Sequence, residues 1–481
     1  MPQFVTRFAP SPTGFLHIGG VRTALFSYLW AKKNNGTFIL RIEDTDKDRE
    51  IEGSIEHIKE SLSWLSLGWD YGPDKPGPFG SCVQSERLAV YKKYADKLYA
   101  AGFAYPDPYS EEEVEKFRQE SKESGKPFLY RNYRPKTSGV WDGKATLRFR
   151  VPEVKRYAWV DAVRGNLEAG EEALDDFVLL KSDGYPTYNF AHIVDDFEMG
   201  VTHIFRADEF ISSTPKFLSL YEALGMEHPV FVTLPPILRE DRTKKLGKRD
   251  GAKDILDYRK EGYLPSAMNN YLALVGWNPG TEQEIFSMDA LLTQFGIDQI
   301  HVAGAAFDET KLQWINREHL LMLAPSKFLI AAEPFLSETT KKGLDEKDLW
   351  EKLLPVMRER IQTLADVTRM DAEGEFAYFY SAPDYPPEML LWKKEPDKSA
   401  AKKHLEKLIA LLDPVPEGEW RSEKIKHSVF DYAEAAGKGN VLWPMRIALS
   451  GREKSPDPFE IAGIIGKDET KKRIKHAAGL L

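Results

Sequence analysis

One cysteine among 481 residues, Cys82, excludes an intrachain disulfide and a zinc site built from several thiolates. Long apolar runs are missing too: none could span a bilayer, and Met1-Pro2-Gln3 leads straight into strand-like sequence instead of a charged and apolar leader. A soluble cytoplasmic chain with no membrane partner is therefore expected. Internal repeats and low-complexity tracts are absent. Positive charge is also in short supply. With 66 Lys and Arg against 75 Asp and Glu, the formal net charge is −9, the wrong sign for a uniformly basic nucleic-acid surface. Steering depends on where charge lies, however, and basic runs at Lys244 to Arg249, Lys402 to Lys407 and Lys471 to His476 stand apart from acidic stretches such as Ser110 to Glu115. A polarised surface satisfies both facts.

What is present can fold throughout, with 42% apolar and 29% charged residues, and the length calls for roughly three to five domains. Gln3 to Phe8 reads as a strand. Val21, Leu25, Tyr28 and Leu29 then recur at helical spacing until Asn34-Asn35-Gly36, and Thr37 to Ile42 is a second strand. This βαβ pattern predicts a nucleotide-binding crevice. Its loop, Ala9-Pro10-Ser11-Pro12-Thr13-Gly14, leads to His17 and Gly19 at the helix start, where backbone N–H groups suit a phosphate. Further strands are predicted at Thr146 to Val151, Val201 to Arg206 and Val230 to Leu234, with helices around Arg87 to Ala101 and Glu111 to Ser121. Pro235-Pro236 ends the last strand, so Lys245-Leu246-Gly247-Lys248-Arg249 projects beyond it as mobile positive charge. After Glu318 the pattern is mostly helical: Trp350 to Val367, Lys402 to Leu412 and Glu423 to Ala436, with a linker at Pro383 to Pro387.

The run from Arg7 through His17-Ile18-Gly19-Gly20, its continuation Arg41-Ile42-Glu43-Asp44-Thr45-Asp46, and Lys245 to Arg249 together resemble the paired HIGH and KMSKS signatures of class I aminoacyl-tRNA synthetases. In detail they are similar to those of bacterial glutamyl-tRNA synthetases. The likeness extends through Lys181 to Asn189 and Val194-Asp195-Asp196 to Leu264-Pro265 and Phe307-Asp308, and weakens after about residue 320. It implies an α/β Rossmann-type catalytic domain with an α+β acceptor-binding insertion, followed by a stem-contact region and an all-helical C-terminal anticodon-binding region. The implied ranges are 1–81 and 185–250 for the catalytic halves, 82–184 for the insertion, 251–320 for stem contact, and 321–385 and 386–481 for two helical anticodon-binding domains. The substrates implied are L-glutamate, ATP with Mg²⁺, and tRNA(Glu), acted on by a monomer. Some family members hold zinc in the insertion. From Ala95 to Asp142 no thiolate exists to do so, and no structural zinc is expected.

Amino-acid activation needs positioning and donors aimed at developing charge more than covalent help. The resemblance gives catalytic roles to His17, Gly19, Lys245 and Lys248. It places ATP against Pro10, Ser11, Thr13, Gly14, Gly20, Asp208, Glu209, Ile237 and Leu238 as well. Glutamate carries two carboxylates and one ammonium, so its pocket needs cations and one acid. Those implied are Arg7, Arg206 and Glu43, with Tyr188, His192, Ala9 and Ser11. Glu43 takes the ammonium by sign, while either arginine could take either carboxylate. Gly247 stands where the family usually has serine. Arg358 and Arg360 match the area that reads the anticodon. A truncated tRNA-modifying relative would lack the C-terminal half, and a non-catalytic paralogue would have lost His17, Glu43 or both lysines; this chain has all of these.

Overall fold

Every residue of Val5–Phe8 (β1) is buried, as befits a strand covered on both faces. It runs parallel to Thr37–Leu40 (β2), and helix Ile18–Lys33 (α1) joins the two. The helix buries Val21, Ala24, Leu25, Phe26 and Leu29 and gives way where Asn35 enters the left-handed region at φ 51°, which asparagine tolerates. The computed structural model describes residues 4–137, 139–247, 253–394 and 397–481. They divide into two compact units, Met1–Arg259 with Leu264–Ile315, and Lys260–Tyr263 with Asn316–Leu481.

In the first unit, Ser54–Trp64 (α2) and Leu88–Ala100 (α3) follow β2. Ala104–Pro106 (β3) leads to Glu111–Glu123 (α4), opened by a capping box between Ser110 and Glu113. Leu147–Phe149 (β4), Tyr157–Asp161 (β5), Gly165–Ala169 (β6) and Val178–Leu180 (β7) come next. The order β3-β4-β7 makes a separate antiparallel sheet. Tyr188–Glu198 (α5), His203–Ala207 (β8), Thr214–Leu224 (α6) and Val230–Leu234 (β9) complete a main sheet of order β2-β1-β8-β9-β5-β6. It is parallel except for the β5–β6 edge hairpin. The chain leaves β1 toward one edge and β8 toward the other, so a crevice opens past Phe8 and Ala207, at the switch point where α/β sheets take ligands. Ile237–Leu238 (β10) pairs in parallel with Ala305–Ala306 (β11).

The β5–β6 hairpin falls inside 82–184 yet belongs to the main sheet, a strand pair the sequence reading did not anticipate. Its signal was there. Tyr157, Trp159 and Asp161 are buried while Ala158 and Val160 are exposed, a period of two, and the Asp161 carboxylate accepts the turn amides of Val163 and Arg164 at 3.0 Å each.

Among its described residues the second unit is helical, without strands. The helix expected over Trp350 to Val367 is two, Trp350–Arg360 and Ala365–Ala372. The Asp366 carboxylate takes the amides of Gln362 and Thr363 at 2.8 and 3.2 Å and so stabilises the break. Residues on both sides of Pro383 to Pro387 share one interior: buried Arg473 donates to the carbonyls of Tyr378, Ser381 and Leu449.

Candidate active site

A cavity of about 1080 Å³ fills the crevice. Its wall includes Arg7, Ala9, Pro10, Ser11, Thr13, Gly14, His17, Gly19, Gly20, Glu43, Tyr188, Arg206, Glu209, Ile237, Lys245 and Gly247. A second hollow of about 1240 Å³ beside α4 is rich in carboxylates and contains none of the residues to which the resemblance gives a catalytic or substrate-binding role. Most of those residues line the first.

His17 is the N-cap of α1, and its Nδ1 accepts the Gly19 amide at 3.1 Å. That bond leaves the neutral ring's proton on Nε2, as a donor. The Gly19 amide, expected to meet phosphate, is thus spent on His17. Glycine leaves room for the ring in this position: a Cβ would lie 2.9 Å from His17 Cε1 and push it aside.

The second segment reaches the same wall through a hairpin. Lys245 pairs with Leu238, Leu246 donates to the Ile237 carbonyl at 2.8 Å, and Arg239 donates to that of Lys244 at 2.9 Å. Lys245 Nζ meets Glu209 Oε2 at 2.5 Å, half exposed. Such a pair is worth about 0–1 kcal/mol and can be exchanged for a more highly charged phosphate. Lys248 lies outside the described residues.

At the other end of the cavity, buried charges are matched in a network. Asp196 accepts Arg7 Nε at 3.0 Å and an Arg41 guanidinium N–H at 2.7 Å. Asp195 accepts from Gln84, Arg87 and Tyr91, each at 2.8 Å. Arg41 also donates twice to Glu43 Oε1, at 2.9 and 3.2 Å, leaving Oε2 with no hydrogen bond from the described residues. Burial pushes the Glu43 carboxyl up from its ordinary range, against the pull of Arg41 and Arg7. Burial likewise lowers Arg206 to about 10. Its guanidinium donates to Thr214 Oγ1 at 2.7 Å and lies 4.4 Å from the Phe231 ring, while its Nε has no partner. Among the described residues no carboxylate pairs with it. Arg7 is therefore neutralised and Arg206 is not.

Residues 3–314 match the family of tRNA synthetases class I (E and Q), catalytic domain, and residues 327–478 match an anticodon binding domain. The chain belongs to this synthetase family. Glutamate–tRNA ligases of Clostridium botulinum and Clostridium tetani are 40% and 38% identical to it, over 98% of this chain and 97% and 96% of theirs. The crystal structure of a glutamate tRNA ligase from Elizabethkingia meningosepticum in complex with its amino acid superposes with a TM-score of 0.82, at 34% identity and 99% coverage of both chains. A glutamate–tRNA synthetase from Elizabethkingia anophelis gives 0.81, at 34% identity, over 99% of this chain and 100% of that one.

Not every residue implicated by the family resemblance reaches the wall. Asp208 and Leu238 do not line the cavity; Asp208 approaches Arg164 at 3.9 Å, and the Leu238 side chain packs near Gly304. His192 is one turn along α5 from Tyr188. It sits behind that ring, stacked at 4.6 Å, with Nδ1 bonded to the Tyr188 carbonyl at 2.7 Å. It is buried and off the cavity wall, which Tyr188 lines. Burial pushes the imidazole down to about 3, so between that value and the unfolded pKa of about 6.5 the unfolded chain binds the extra proton. Stability is then complete above about pH 7 and is lost as pH falls through that window, by up to about 1.4 kcal/mol per pH unit. A His192→Gln variant should show a visibly flatter stability profile from pH 6.5 to 4 in urea titrations; an unchanged slope would assign the loss to other groups.

Arg358 and Arg360 are both engaged internally. Arg358 donates to the Leu323 carbonyl and lies over the Phe328 ring, and Arg360 pairs with Glu375. No group of three His, Cys, Asp or Glu side chains among the described residues could hold a metal ion. Among the described residues no helix is long and apolar enough to cross a membrane.

Proposed function

We propose that this chain is a glutamate–tRNA ligase, carried above all by one observation: His17 and Lys245, far apart in sequence, line one cavity with Arg7, Glu43, Tyr188 and Arg206. The glutamate α-carboxylate attacks the α-phosphorus of ATP, and pyrophosphate leaves, giving glutamyl-adenylate. The 3′-terminal adenosine hydroxyl of tRNA(Glu) then attacks the carbonyl carbon, and AMP leaves. Mg²⁺ enters as part of the ATP substrate. His17 Nε2–H donates to a phosphate oxygen, and Lys245 moves from Glu209 to the departing charge; Lys248 has the same role by its place in the signature. Glu43 Oε2 receives the substrate ammonium, which relieves the cost of a buried carboxylate. Arg206 gains the counter-charge it lacks from a substrate carboxylate, with the Tyr188 hydroxyl beside it. Glutamine offers no such second charge, so the pocket discriminates against it. The protein works as a cytoplasmic monomer, and its helical half reads the anticodon.

Glutamate-dependent exchange of labelled pyrophosphate into ATP, measured with and without tRNA(Glu), tests the proposal. Exchange is expected in the presence of tRNA. Silence in both conditions would refute it.

A further inference from the structure

The sequence reading assigned nothing to His57, on α2, which joins the two signature segments. Its Nε2 lies 2.8 Å from each oxygen of the Asp254 carboxylate, and its Nδ1 accepts the Leu16 amide at 3.3 Å. The proton therefore sits on Nε2 and is donated to Asp254. The ring also stacks on Phe15 at 4.6 Å, with 24° between planes. Phe15 is 47% exposed and forms part of the cavity wall. One residue from Leu16 is His17, whose backbone pairs with Asp254, while the Ile255 amide donates to the Leu16 carbonyl at 3.0 Å. Asp254 in turn caps the helix Ile255–Lys260 by accepting the Leu256 amide at 2.9 Å. From the same α2, Ser54 holds the Gly14 carbonyl at 3.0 Å.

We propose that His57 is a positioning residue for adenylate formation, clamping the Phe15–His17 backbone to Asp254, which follows the lysine segment in sequence. This rests on the ligase reading above. His57 lies behind Phe15 and Leu16 and acts through them on His17. The physical reason is register: a donor aimed at a developing phosphate charge loses most of its effect when it moves by about 1 Å. One ring holds the backbone stretch that carries the imidazole and, through a single carboxylate, the helix that follows the lysines. Residues separated by 197 positions thus share one hydrogen-bonded unit.

The test uses the full chain with His57→Leu, His57→Gln and Asp254→Asn, in tRNA-dependent pyrophosphate exchange. His57→Leu should lower kcat at least about tenfold with the glutamate KM and tRNA Kd within about twofold of wild type. His57→Gln should recover most of the loss, because its amide can accept from Leu16 and donate to Asp254. Adding His57→Leu to Asp254→Asn should cost less than it does alone. A folded His57→Leu protein with kcat near wild type overturns the proposal. So does a glutamate KM that rises in step with the kcat loss, or a Gln variant as impaired as Leu. If the Leu variant does not fold, Asp254→Asn decides: asparagine keeps the helix cap, a several-fold fall in kcat at constant glutamate KM supports the clamp, and unchanged kcat overturns it. A silent wild type removes the ligase reading, whereas an active wild type beside an unaffected His57→Leu removes only the clamp.

Discussion

Arg206→Gln is expected to raise the glutamate KM by about 100-fold, leave tRNA affinity within about twofold, and increase the melting temperature of the free protein. The three effects share one cause. Arg206 is buried, and among the described residues it has no carboxylate partner and its Nε no hydrogen bond. In the free protein that charge is a desolvation cost; with substrate bound it becomes a charge-assisted pair, worth about 3 kcal/mol, or roughly 100-fold in affinity at 1.4 kcal/mol per decade. Loss of binding with gain of stability is the trade expected of a functional group held in strain. Steady-state exchange kinetics and thermal melts of the same preparations check both halves. A variant that melts lower and binds glutamate normally would make Arg206 a structural residue.

Asp196→Asn should have the opposite signature, a large loss of stability. The carboxylate is fully buried between Arg7 and Arg41, and although burial opposes ionisation, the two guanidinium groups hold it well below the usual carboxylate range. Removing its charge strands buried Arg7 and leaves Arg41 to Glu43 and the more distant Asp195, costing about 3–5 kcal/mol, or a fall of about 10 °C for a unit of this size. Because its folded pKa lies below the unfolded value near 3.9, the contribution is complete above about pH 5 and is lost as pH falls further, where the unfolded chain takes up the proton first. Melting curves between pH 7 and 3 should show wild type approaching the variant at the acid end. Parallel curves would deny Asp196 this role.

Local patterns carried the reading as far as local patterns can. The βαβ unit, the proline-bearing loop and the basic hairpin each leave a mark within about twenty residues, and the structure brings His17 and Lys245 to one wall. Charge matching is different. Arg41 and Asp196 are 155 positions apart, and nothing in either neighbourhood says that they meet, so Arg41 and Asp195 were motif members without roles and Arg87 only the start of a predicted helix. His192 follows Tyr188 by four residues, which on a helix puts both side chains on one face, and that spacing could not say that Tyr188 alone of the two would reach the cavity wall. His57, on a helix with an ordinary amphipathic pattern, gave no sign of its partner.

Where β10 and β11 pair, a boundary drawn along the sequence disappears. Strand β10, whose Ile237 lines the cavity, borrows its neighbour from Ala305–Ala306, within the stretch that the family resemblance assigns to contact with the tRNA stem. The stretch expected to meet the nucleic acid and the stretch that walls the cavity are thus one piece of hydrogen-bonded fabric. Force on the first would pass to the second through those bonds, a direct mechanical route by which a docked tRNA would bear on the cavity.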